Sequence, residues 1–315
     1  MIQHIDRLCA GYGDAQVAEP SDVGVVAQAS FEEYLSVPGT PEADYNFFRD
    51  RWTFGTCSWV LDNQGFKDWA EDTSSDPRVL WIHGNAASGK SILSSFIIDH
   101  LTQRGFPCSY FFVRFTDHKK RGLSGILRSL ACQMARSVPV YGNQLRCLQD
   151  AATDLKTADA RNVWQWLYRQ SLFQLDISEP LFLVVDGVDE AENPASILRL
   201  LTDLHLCRIP LRVLIVSRKT HEISSGFQRL EKQVHVDAIP VEGNQDDIRS
   251  YIANEMDIAG DESYRDEITS QLLQRAQGNF LWIHLAVQKI NNCHTKLSVE
   301  NALQDLPSGM GALYD

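Results

Sequence analysis

Gly84-Asn85-Ala86-Ala87-Ser88-Gly89-Lys90-Ser91 stands between the apolar run Val79-Leu80-Trp81-Ile82-His83 and the stretch Ile92-Leu93-Ser94-Ser95-Phe96-Ile97-Ile98. Strand, glycine loop and helix in that order are what a phosphate-binding loop of the form GxxxxGK[ST] requires. The glycines allow backbone conformations that turn successive N–H groups inward around an anion, and the helix behind them adds its positive end. On this reading Lys90 reaches the β- and γ-phosphates and the Ser91 hydroxyl takes one Mg²⁺ position. The plain alternative is an ordinary Gly/Ser turn.

A second constellation is Leu181-Phe182-Leu183-Val184-Val185-Asp186-Gly187-Val188-Asp189-Glu190. A carboxylate at the C-terminal end of a buried strand beside a phosphate loop can hold Mg²⁺ through water, and Asp186 is in that position. Asp189 and Glu190 stand just beyond it, where a carboxylate orients or deprotonates an attacking water. A solvated turn after a strand is the alternative. The third stretch is Leu211-Arg212-Val213-Leu214-Ile215-Val216-Ser217-Arg218. If its strand inserts between the other two, Arg218 points at the γ-phosphate and stabilises charge in transfer. With Lys219 next in a polar loop, an exposed bystander is the competing reading of Arg218.

Around these motifs the chain alternates apolar runs with helical patterns from Arg78 onward, the signature of a parallel α/β sheet. The strands expected are Val79 to His83, Cys108 to Val113, Leu181 to Val185, Leu211 to Val216 and Val234 to Ile239, mostly continuous apolar runs as in sheets covered on both faces. Residues 1–45 read as a flexible arm or linker with one short helix. Residues 46–77 form an aromatic-rich helical lead-in containing Phe47, Phe48, Trp52, Phe54, Trp59, Phe66 and Trp69, rings expected to pack against the core rather than to form a ligand platform. Residues 78–240 form the sheet domain and 241–315 a helical subdomain, because only helical spacing follows Pro240. Asp117-His118-Lys119-Lys120-Arg121 reads as a solvated loop, and His83 as a satisfied core residue.

The 315 residues carry a formal net charge of −12, from 41 acidic and 29 basic side chains. That balance argues against a nucleic-acid-binding surface while leaving room for a local phosphate site. No apolar run approaches the roughly 20 residues of a membrane helix. Seven scattered cysteines without metal spacing fit a reducing compartment, and a cytoplasmic location is expected.

Several short stretches occur in order: Gly55-Thr56-Cys57-Ser58-Trp59-Val60, Leu80-Trp81-Ile82-His83-Gly84, Tyr110-Phe111-Phe112, Ile126-Leu127-Arg128-Ser129-Leu130, Val185-Asp186-Gly187-Val188-Asp189-Glu190, Gly278-Asn279-Phe280-Leu281-Trp282 and Leu306-Pro307-Ser308-Gly309. Together they make the chain resemble the NACHT nucleotide-binding module of fungal NOD-like, STAND-class P-loop proteins, of the nephrocystin-3 N-terminal type. The resemblance implies an ASCE-type, five-stranded parallel sheet flanked by helices, followed by a small all-helical subdomain. It further implies a site for ATP or GTP, or their diphosphates, with Mg²⁺. Gly84, Asn85, Ala86, Ala87, Ser88, Gly89, Lys90, Ser91 and Ile92 would contact the nucleotide. Ser91 and Asp186 would hold the metal, and Lys90, Asp189, Glu190 and Arg218 would act on the phosphates.

Such modules are switches with slow NTP hydrolysis that serve fungal innate immunity or incompatibility and act through self-association or a downstream effector. Two departures from the pattern stand out. Ala86-Ala87 replaces the usual Pro-Gly, so a positive φ at position 87 would strain an alanine. The chain ends at Tyr314-Asp315, where relatives continue into winged-helix and repeat regions. A nonhydrolysing nucleotide-binding or oligomerisation scaffold is therefore the alternative function. A small-molecule kinase is a third, without an acceptor-site signature.

Overall fold

The computed structural model describes residues 31–242 and 244–306. The sequence readings on residues 1–30 and 307–315, including the Pro307-Ser308-Gly309 motif, lie outside the described residues.

Five strands form one sheet: β1 (Arg78–His83), β2 (Cys108–Phe112), β3 (Leu181–Asp186), β4 (Leu211–Ser217) and β5 (His235–Pro240). All pairings are parallel, in the order β2-β3-β4-β1-β5. The chain thus has the ASCE-type P-loop arrangement, with β4 between the loop strand β1 and the acidic strand β3. Each expected strand is present to within a residue or so at its ends. Although the strands read as unbroken apolar runs, their side chains divide by period two. Val79, Trp81, Leu183, Val185, Val213 and Ile215 enter the core on one face. Leu80, Ile82, Phe182, Val184, Leu214 and Val216 enter the core on the other.

The first face is covered by α5 (Leu123–Ser137), α6 (Pro139–Asp150), α7 (Ala160–Val163) with the π-helical turn Trp164–Arg169, α8 (Pro194–Leu201) and α9 (His221–Leu230). Residues 160–174 are not one continuous helix but a short α-turn, a π-turn and a 3₁₀ turn in succession. The other face is covered by α4 (Lys90–Gln103) together with the lead-in helices α2 (Trp59–Asp62) and α3 (Gln64–Glu71), which bury Val60, Phe66 and Trp69. Ahead of them α1 (Pro41–Arg49) starts on a proline, whose fixed φ suits a first helical turn. Where the composition suggested a loose arm, Phe31 and Leu35 are buried in the main core.

Beyond β5, four helices build a separate core: α10 (Gln245–Glu255), α11 (Glu262–Ala276), α12 (Phe280–Asn291) and α13 (Lys296–Gln304). Ile248, Ile252, Leu272, Trp282, Ile283, Ile290 and Leu303 fill it. Asp261, Asn279 and Thr295 cap α11, α12 and α13 by accepting from backbone N–H groups of the first turn.

Candidate functional site

Because the strands are parallel, their carboxyl ends share one edge, and that edge is where ligands bind in open α/β sheets. The register places His83 beside Ser217, and Asp186 between Val216 and Phe112. The 84–91 loop leaves β1 at this edge and enters α4, with Gly89 as the N-cap at φ 88°. A side chain at position 89 would also meet the ring of Phe280, 3.2 Å from its Cβ. Left-handed backbone and a close neighbour together restrict this position to glycine.

The Lys90 ammonium, half-buried, donates to Gly84 O at 3.0 Å and also to Asn85 O. Its position inside the loop is where the loop's N–H groups would meet an anion. Burial lowers its pKa, opposed by Asp186 and Asp189. The Ser91 hydroxyl donates to Asp186 Oδ2 at 2.6 Å, and the Ser94 hydroxyl to Oδ1 at 2.9 Å. The Asp186 carboxyl is 4% exposed. Burial pushes its pKa up to about 6, partly offset by the two serine hydroxyls and Lys90.

The raised pKa means that the folded state holds the Asp186 proton more tightly than the unfolded chain. The associated stability is complete below the unfolded value and is lost as pH rises through about 6. Asp186→Asn carries no such ionisation. At pH 8 it should therefore be more stable than the parent by on the order of 2–3 kcal/mol. The gain should shrink as pH falls from 7 toward 5, measured by urea unfolding without nucleotide. Equal stability across that range would contradict a carboxylate whose ionised form burial disfavours despite its two serine partners.

Ala87 has φ 55°. Left-handed backbone costs an L-residue about 1–2 kcal/mol, and glycine carries no such cost but frees the unfolded chain. Ala87→Gly should raise the unfolding free energy by about 0.5–1 kcal/mol, readable in chemical denaturation. A loss of stability would show that the alanine is not strained.

The acidic pair after β3 divides. Asp189 accepts from the Arg218 N–H at 2.9 Å, and its Oδ2 lies 3.2 Å from Arg218 Nε, so each has the other as partner. Glu190 Oε2 accepts from the Phe115 N–H at 2.7 Å. Among the described residues no hydrogen bond reaches Glu190 Oε1. Lys90, Ser91, Ile92, Asp186, Asp189, Glu190 and Arg218 all line one cavity of about 920 Å³, as do Ala86, Ala87, Ser88 and Gly89. Gly84 and Asn85 face the loop's inside through their carbonyls instead. His83 is buried against Trp81, ring centroids 4.4 Å apart, and burial lowers its pKa.

Several further residues of the cavity lie outside the nucleotide-contact set expected from the sequence. Phe280 and Tyr251 from the helical part, and Trp52, Trp59, Phe47 and Phe48 from the lead-in, line it. Phe48, Trp52 and Trp59 also pack against the core, as do Phe66 and Trp69, whereas Phe47 and Phe54 are exposed, so the expectation is corrected for those two rings. The helical part also grips the phosphate loop. The Phe280 N–H donates to Ala87 O at 2.8 Å, and Asn244 Nδ2 donates to Ser88 O at 3.3 Å and Gly278 O at 3.0 Å. Asp247 of α10 accepts from Cys57 N–H and Trp59 Nε1, joining the lead-in to the same helices. The advance signs of these contacts are the stretches 55–60 and 278–282, which hold Cys57, Trp59 and Phe280.

Residues 55–218 match the family model described as Nephrocystin 3, N-terminal. The vegetative incompatibility protein HET-E-1 of Podospora anserina is 28% identical over 270 residues, covering 81% of this chain. The chain spans about a fifth of that relative's length, 20%. Among solved structures, domain III of the Thermotoga maritima replication initiation protein DnaA aligns over 84% of this chain and 97% of its own, with 14% identity and a TM-score of 0.42. The Aeropyrum pernix ORC1 protein in complex with DNA aligns over 88% and 69%, with 10% identity and a TM-score of 0.42. The strand order, rather than these likenesses, defines the fold. Among the described residues no helix is long and apolar enough to cross a membrane.

Proposed function

Since this chain belongs to the Nephrocystin 3, N-terminal family and carries a NACHT-like P-loop domain, we propose that it is a nucleotide-dependent switch. It binds ATP or GTP with Mg²⁺ and hydrolyses the triphosphate slowly. The observation that carries this reading is the meeting of Lys90, Ser91 and Asp186 at one end of one cavity. A cation held among loop carbonyls fits an anionic ligand, and a hydroxyl paired with a buried carboxylate fits a hard divalent ion that prefers oxygen.

In the mechanism proposed, the N–H groups of residues 86–91 and the Lys90 ammonium bind the phosphates. Ser91 and Asp186 hold Mg²⁺, which when bound neutralises charge on the phosphate oxygens. Glu190, with one oxygen fixed by Phe115, keeps the other for a water and accepts its proton. Asp189 orients Arg218 toward the transferred phosphate. The helical part, attached to the loop through Asn244 and Phe280, is the half whose position the nucleotide state would bias. The division at 240/241 is part of this proposal.

Glu190→Gln should keep nucleotide binding and lower turnover about 10²-fold, the lower end of what a positioned base contributes. Phosphate release with Mg-ATP and Mg-GTP, and no acceptor, measures it. Parental turnover in that variant would remove Glu190 from the reaction. A nonhydrolysing scaffold is the second reading, favoured by the strain at Ala87. A role in fungal incompatibility, by likeness to HET-E-1, a cytoplasmic location and switching through self-association or an effector complete the proposal. Light scattering of each nucleotide complex tests self-association.

A further inference from the structure

The basic stretch Asp117 to Arg121, expected to be solvated, is instead part of a bridge between α1 and the acidic pair. Asp44 of α1 is 7% exposed. Its Oδ1 lies 2.8 Å from Arg114 Nε, and its Oδ2 is paired with the Lys120 ammonium. The Arg114 contact is a charge pair without hydrogen-bond alignment. The Arg114 guanidinium also lies over the rings of Phe47 and Phe48, 4.7 and 5.0 Å from their centroids. The next residue along the chain from each of these two cations turns to Glu190. Phe115 N–H donates to its carboxylate, and Arg121 Nε donates to its backbone carbonyl at 3.1 Å. Arg121 lies over the exposed Phe115 ring at 4.7 Å and accepts through its carbonyl from Glu192 N–H at 3.1 Å.

Residues 114 and 120 thus face α1 while 115 and 121 face Glu190, and the 3₁₀ turn His118–Lys120 holds the pairs together. α1 itself is seated on β2, with Tyr45 against Tyr110 and Phe48 against Phe112, ring centroids 5.2 and 5.1 Å apart. Tyr45 also donates to Asp99 of α4 at 3.1 Å. An exposed ion pair would contribute little, but a nearly buried carboxylate shared by two cations is costly to leave unpaired, so the bridge holds its geometry.

We propose that Asp44 is a positioning residue for Glu190. Through Arg114 and Lys120 it fixes the loop whose Phe115 N–H aims the Glu190 carboxylate, so the seating of α1 sets the turnover rate. The inference rests on Glu190 as the water-orienting base. No proton or bond changes hands at Asp44.

The test uses the full chain. Phosphate release from Mg-ATP and Mg-GTP should fall about tenfold in kcat in Asp44→Asn, with KM changed less than twofold. In a Glu190→Gln background the same substitution should add nothing, since coupled residues are non-additive. Lys120→Met should reproduce part of the loss and Lys120→Arg should rescue it. Hydrogen exchange of the Phe115 amide, which needs no turnover, should quicken about tenfold in Asp44→Asn and in Glu190→Ala, with no further change in the double variant. If the parent chain binds nucleotide without hydrolysing it, the base role falls and the exchange data alone decide the linkage. If Asp44→Asn melts, Lys120→Met and Arg114→Gln give the same readouts. Unchanged Phe115 exchange, a KM effect in place of kcat, or independent addition of the two substitutions would overturn the proposal.

Discussion

Arg212→Ala is expected to lower the unfolding free energy by about 3–5 kcal/mol, the scale of breaking a buried charged network. Arg212 is fully buried on β4, the strand between β1 and β3, although its sequence neighbours are all apolar. Its guanidinium donates to three carbonyls of the loop between α3 and β1: Asp76 O at 2.6 Å, Asp72 O at 2.8 Å and Ser74 O at 3.0 Å. The Asp72 carboxylate lies 3.9 Å away and is itself bound by Arg78 at 3.1 Å. Burial lowers the Arg212 pKa, opposed first by Asp72.

Truncation to alanine leaves three acceptors without their donor and a cavity in the central strand, each a known route to large destabilisation. For a chain of this size the drop corresponds to a melting decrease of about 5–8 °C. Arg212→Lys should fall between, because one ammonium does not span three carbonyls as the planar fork does. Chemical denaturation of the three proteins measures the effect. A loss under about 1 kcal/mol for alanine would mean that water replaces the guanidinium freely.

Lys90→Ala should weaken nucleotide binding by about 2–5 kcal/mol, the cost of truncating one partner of a buried charge pair. The ammonium donates inside the loop to Gly84 O and Asn85 O, so it is already placed where phosphate oxygens would arrive. Removing it leaves the loop N–H groups but no mobile charge, and affinity should fall at least thirtyfold. Stability without nucleotide should change much less, because Lys90 is half-buried and its partners are loop carbonyls that water can reach. Titration calorimetry separates the two effects. An affinity within threefold of the parent would take Lys90 out of the phosphate site.

The sheet was legible because its strands are short apolar runs bounded by breaks, and because the loop and acidic motifs sit at strand ends, where topology brings them to one edge. Ser91 is joined to Asp186 by a hydrogen bond, with Lys90 its chain neighbour, and the meeting depends on β1 and β3 having a single strand between them. What was not legible depends on side chains meeting across long chain separations. Asn244 and Phe280 reach the phosphate loop from helices whose periodicity reports only their own core. The basic run 117–121 looks like a solvated face, since nothing local reveals that Asp44 stands opposite Lys120. Phe31, Tyr34 and Leu35 do stand at helical spacing, but over little more than one turn, too short a stretch to announce burial. Asp189 and Arg218 were both legible as site residues, but their pairing with each other was not.

Titration calorimetry of the chain with Mg-ATP, Mg-ADP and Mg-GTP tests the central claim most directly. The account predicts saturable binding of at least one of them at one site, lost in Lys90→Ala and accompanied by a rise in melting temperature that grows with ligand concentration. No heat of binding and an unchanged melting temperature with all three would contradict it.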